Sequence, residues 1–113
     1  DYIVRYGPGR NENYDPMDYM DIIDEILKTL IHRGKALECN TAGFKYGLGH
    51  PHPQEEILLR YRELGGELLT MGSDAHTPGQ GGRFFPQTAG ILKSCGFRYY
   101  TVYHQRKPVF YPL

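Results

Sequence analysis

Asp74 and His76 stand two residues apart where an apolar run, "LLTMGSDAH", gives way to the glycine-laden "TPGQGGRFFP". A carboxylate and an imidazole at i and i+2 beside a strand end would point the same way, so one hard oxygen and one ring nitrogen could reach a common cation. The competing reading makes Ser73 or Asp74 a turn residue and leaves His76 solvated. Helix capping fits poorly, because the next helical pattern begins about ten residues on. Two ligands do not close a metal site, so others must come from elsewhere. His50-Pro51-His52 reads as loop punctuation ahead of a helix, and His32 and His104 stand alone.

Glu38 and Asn40 share one face of the short strand "ALECN", opposite Leu37 and Cys39. Polar groups at such positions cost stability if buried without partners, so they are expected to line or support a site. Arg5, Lys45 and Arg83 fall at three predicted strand exits. Together they would cradle a phosphate, arginine through bidentate contacts and lysine as a point charge. "GQGG" lacks the Gly-Lys-Ser/Thr of a phosphate-binding P-loop and reads as a mobile rim loop.

These residues need a scaffold that brings strand exits together. The pattern predicts a strand at Tyr2–Val4, and a helix opened by Asp15 and Pro16 and closed by Gly34. The strand Ala36–Asn40 follows, then a helix from Pro53 to Gly65-Gly66. A strand at Leu68–Met71 leads to a helix from about Pro86 to Cys95, with "YYTVY" and "PVFYP" as one or two final strands. That is β-α-β-α-β-α-β, an α/β order favouring mostly parallel strands covered by helices. Four strands are too few to close a barrel, so a small open sheet and an arc of a larger barrel both remain. In either, loops after the strands share one rim.

At 113 residues the chain reads as a single domain, residues 1–113. Thirteen basic and thirteen acidic side chains balance, which gives no general field for nucleic acid. Cys39 and Cys95 are expected as small core residues of a reducing compartment. Apolar runs fall short of a membrane span. The expectation is a cytoplasmic protein without a membrane or nucleic-acid partner. The opening "DYIVRYG", without Met, reads as a piece of something longer.

"GSDAH" after an apolar strand, preceded by "LECNTAG" and a "RYG" strand exit, resembles the histidinol phosphatase branch of the PHP (polymerase and histidinol phosphatase) phosphoesterases. The resemblance runs along essentially the whole chain and matches the C-terminal part of such an enzyme. It implies a distorted (β/α)7 barrel with two or three divalent ions (Zn, Mn or Fe) at its C-terminal rim. Asp74 and His76 match its last metal-binding motif, and their role in it would be catalytic. Arg5 and Lys45 match phosphate or substrate contacts, although the family tends to have Arg near position 45. Glu38 and Asn40 match its Glu-x-Asn strand. The family's His-x-His and its middle His and Glu ligands have no counterpart in this sequence. The implied activity of the whole enzyme is hydrolysis of histidinol phosphate in histidine biosynthesis, with these 113 residues alone weak or inactive and prone to pair with a second copy through sheet edges. Two rivals stand beside it: a phosphoesterase or nuclease with another substrate, and a non-catalytic anion-binding α/β module.

Overall fold

The computed structural model describes residues 14–113. The predicted strand at Tyr2–Val4, and Arg5 with it, lie outside the described residues. Asp15 opens the first helical segment as expected, its carboxylate accepting from the Met17 amide at 2.9 Å. A 3-10 turn, Pro16–Tyr19, runs into helix α1, Met20–His32. Strand β1, Leu37–Asn40, leads into a four-residue helix α2, Ala42–Lys45. Helix α3, Glu55–Glu63, and strand β2, Leu69–Gly72, follow. A 3-10 turn at Pro78–Gln80 precedes helix α4, Phe85–Ser94. Strands β3, Tyr99–His104, and β4, Lys107–Pro112, end the chain.

β1 and β2 pair in parallel, with Leu37 beside Leu69 and Asn40 beside Gly72. Their inward residues, Cys39 and Leu69, meet Leu27 of α1, Ile57, Leu58 and Tyr61 of α3, and Leu92, Cys95 and Phe97 at the end of α4. Helical spacing places Ile23, Leu27, Leu30 and Ile31 along the stripe of α1 that packs on this cluster. Tyr61 satisfies its buried hydroxyl by donating to the Leu68 carbonyl at 3.0 Å. A second clamp lies outside the core: Arg60 of α3 grips both carboxylate oxygens of Asp24 on α1, at 2.8 and 2.6 Å.

The predicted order is only partly realised. β3 and β4 form an antiparallel hairpin, Tyr99 opposite Pro112 and His104 opposite Lys107, so the chain's end is not another parallel crossover. Gln105 and Arg106 turn it, both at positive φ (50° and 67°). A two-residue turn with two left-handed positions suits the twist of a hairpin, and the usual Asn-Gly signal is absent. β3 lies beside β2, where Thr101 Oγ1 accepts from the Leu69 amide at 3.3 Å. Helix α2 has no apolar period to announce it. Its start is set by Asn40, whose side-chain oxygen accepts from the Ala42 amide at 2.8 Å. Both cysteines are buried free thiols, as expected. Burial pushes the Cys39 thiol up to about 12. No helix among the described residues is long and apolar enough to cross a membrane.

Candidate functional site

Two loops leave the C-terminal ends of the parallel strands: 41–54 after β1 and 73–84 after β2. They are tied to each other. Thr41, buried, takes its amide hydrogen bond from β2 (to the Gly72 carbonyl, 2.7 Å), and its hydroxyl donates to the Arg83 carbonyl at 2.8 Å. The rings of Phe44 and Phe84 pack 5.5 Å apart. Ser73 Oγ accepts from the Gly82 amide at 3.2 Å, closing the second loop on itself. On the far side of β1, the 50–52 segment runs alongside the strand end, with Asn40 and His52 exchanging backbone bonds at 2.7 and 2.8 Å. Gly43 permits this closeness, since a Cβ there would sit 2.0 Å from the His50 carbonyl oxygen.

Glu38 and Asn40 occupy the face opposite Cys39, as the alternation predicts. Glu38 lies exposed across β2, where a Cβ on Gly72 would fall 2.5 Å from its Oε1. Asn40 donates to that same Oε1 at 3.1 Å while capping α2 with its own carbonyl oxygen. Asn40 therefore holds Glu38 with one end and the α2 loop with the other.

Asp74 and His76 lie in a turn beyond β2 and not on the strand end where they were expected. β2 ends at Gly72, and Asp74 sits beyond it in the left-handed region at φ 48°. The pleat of a strand cannot align the pair there. A turn follows instead, in which His76 Nδ1 lies 2.9 Å from the Asp74 backbone carbonyl oxygen. A carbonyl can only accept, so Nδ1 is the donor in this contact and Nε2 is left outside it. This is how an imidazole is oriented to ligate a metal through Nε2. His50 provides a contrast: both of its ring nitrogens are engaged, by the Pro51 carbonyl at 2.8 Å and by Gln54 Nε2 at 3.2 Å. Both of those contacts lie within its own loop.

The cations divide. Lys45 is half-buried and donates to Gln80 Oε1 at 3.2 Å, and that same oxygen accepts from the His76 amide at 3.3 Å. Arg83 is exposed and stacks its guanidinium on Phe84 at 4.9 Å, away from this cluster of hydrogen bonds. Gln80 is thus a residue the sequence reading missed. The loop it belongs to is pinned at Gln80, where a mobile one was expected. Only its separation from Lys45 by 35 positions hides the link.

A hard oxygen and an oriented imidazole suit zinc, manganese or iron in kind. They fall short in number. Among the described residues no group of three or more His, Cys, Asp or Glu is placed to hold a metal ion. The described part of the rim holds a carboxylate, an imidazole and an anchored lysine.

A parallel strand pair under helices, with acid, imidazole and ammonium at its exits, defines an α/β chain of the kind that gathers its chemistry at one rim. Comparison with known proteins narrows that class. The chain is 41% identical over 96 residues to a probable histidinol-phosphatase of Thermotoga maritima, covering 84% of this chain and 40% of that protein. It is 30% identical over 100 residues to the histidinol-phosphatase of Lactococcus lactis, covering 86% and 36%. The crystal structure of histidinol phosphate phosphatase from Lactococcus lactis, complexed with Zn, L-histidinol and phosphate, superposes with a TM-score of 0.75 at 25% identity, over 96% of this chain and 41% of that one. No protein-family model matches. The chain is a homologue of the histidinol phosphatases and spans about 40% of the length of the curated relatives it matches.

Proposed function

We propose that this chain forms part of a divalent-metal-dependent phosphomonoesterase that hydrolyses histidinol phosphate, as the C-terminal portion of a distorted (β/α)7 PHP barrel. The observation that carries the reading is the Asp74–His76 turn at a parallel-strand exit, in a chain that superposes over nearly all its length on a zinc-, histidinol- and phosphate-bound relative. Asp74 and His76 each give one ligand, His76 through Nε2, and further ligands come from outside the described residues. Zn is the first choice on the relative's precedent, with Mn and Fe compatible with the same donors. When bound, such an ion neutralises phosphoryl charge and acidifies a water.

The chain's own residues do the rest. Lys45 presents a point charge to the phosphoryl oxygens, and Arg5 is assigned a second contact of the same kind. Positioned cations of this sort are worth several-fold to many-fold in rate, because their orientation is fixed before charge develops. Glu38, held by Asn40, lines the site's floor over Gly72. The reading includes association of two copies through the exposed β4 strand.

The test is a chimera in which this chain replaces the matching segment of the Thermotoga maritima relative. Histidinol phosphate hydrolysis is expected from the chimera and is expected to fall at least a hundredfold in D74N and H76A. An inactive D74N/H76A pair alongside an active parent supports the reading. A chimera that cleaves an oligonucleotide and spares histidinol phosphate overturns it. The 113 residues alone are expected to show little activity, because two ligands do not make a metal cluster.

A further inference from the structure

We propose that Gln80 is a positioning residue, one that holds the Lys45 ammonium against the His76 turn and leaves its charge available for an anion. The inference rests on the reading of this rim as a phosphate site. Residues 75–79 are exposed, and Gln80 is the point at which the loop turns inward. Its Oε1 accepts twice, from Lys45 Nζ at 3.2 Å and from the His76 amide at 3.3 Å. An amide oxygen has two lone pairs, so both are used.

The choice of amide matters. Glutamate in the same place would accept both hydrogen bonds more strongly, yet its negative charge would neutralise Lys45 and repel a phosphate. An apolar side chain would leave Lys45 with the Tyr46 ring alone, 5.4 Å from Nζ, and no directional acceptor. Only a neutral acceptor fixes the ammonium without cancelling it. The same oxygen accepts from the amide of His76, two residues beyond Asp74, which sits in the left-handed region at φ 48°. Lysine position and imidazole position are therefore set by one atom.

Inorganic phosphate, titrated into the isotopically labelled chain with and without Zn2+, provides the probe. Amide shifts give the affinity, and hydrogen exchange in the metal-free chain reports on the His76 amide. Q80L is expected to weaken phosphate binding about tenfold, the usual size for losing a hydrogen bond to a charged group. K45M should cost at least as much, and the double variant should cost no more than K45M alone. Q80E should also weaken phosphate, while keeping the His76 amide as protected as in the parent. Q80L should expose that amide, and K45M should leave it protected. Thermal stability should stay within a degree or two in all of them, since Gln80 contributes no apolar core. Additive losses in Q80L/K45M, or phosphate affinity in Q80E equal to the parent's, would overturn the assignment. Absence of phosphate shifts in the parent would instead sink the phosphate reading of the rim, and the His76 exchange comparison would still decide whether Gln80 positions that turn.

Discussion

The helix-covered face of the parallel strands and their C-terminal exits are held by different forces. Toward the helices, β1 and β2 bury Cys39 and Leu69 in a cluster with Leu27, Leu58, Tyr61 and Leu92, each almost wholly removed from water. At the exits a few directional bonds do the work: Thr41 to Arg83, Lys45 to Gln80, Asn40 to Glu38 and to Ala42. Apolar packing is non-directional and sums over many contacts, so it sets stability. Single polar bonds at a half-exposed rim contribute little net stability but fix where charges stand. Substitutions in the two regions should therefore move different observables.

The sharpest break comes from the core. Leu58→Ala should cost about 3 kcal/mol in urea unfolding, by lost transfer energy and the cavity it leaves. Zn2+ and phosphate binding per folded molecule should remain at the parent's level. Gly72→Ala sits on the boundary. Its new methyl would meet the Glu38 carboxylate, the end of a flexible side chain, so the expected cost is only about 1 kcal/mol while Glu38 is displaced from β2. Loss of the Asn40–Glu38 contact, seen as a shifted Asn40 side-chain amide signal, checks it.

A smaller effect separates the helix clamp from both regions. The hydrogen bonds from Arg60 hold the Asp24 carboxyl below its ordinary value of 3.8. A depressed folded-state value means a contribution that is present above pH 4 or so and disappears as pH falls through the folded value. Unfolding of Asp24→Asn should therefore differ from the parent by a constant amount at neutral pH, with the gap closing in acid. A gap that widened in acid would contradict the clamp. The smallest change expected is Thr88→Val. Thr88 Oγ1 is buried with no hydrogen-bond partner among the described residues, so replacing it with a methyl should be neutral or stabilising, within about 1 kcal/mol.

The core was legible because it obeys periodicity. Ile23, Leu27, Leu30 and Ile31 recur at helical spacing, Cys39 alternates with Glu38, and Pro16 and Gly34 mark ends. The hairpin was not, because its turn uses Gln105 and Arg106 at angles that the sequence does not advertise. At the rim, the residue types at positions 38, 40, 45, 74 and 76 were readable, and so was their placement on β1 or in the loops after β1 and β2. The local geometry was not. Asp74 and His76 lie in a turn beyond the strand, Asp74 in the left-handed region, and Lys45 is fixed by a glutamine 35 positions away. The Lys45–Gln80 bond depends on tertiary contact between two loops, which local pattern does not encode.

On the proposed function, His76 is expected to offer Nε2 to a cation at the β2 exit. Long-range 15N correlation of its imidazole during Zn2+ titration tests this directly. The account predicts a ring protonated at Nδ1 before metal, an Nε2 signal that moves on addition, and loss of that response in Asp74→Ala. A His76 ring that ignores Zn2+, or one that responds through Nδ1, would contradict it.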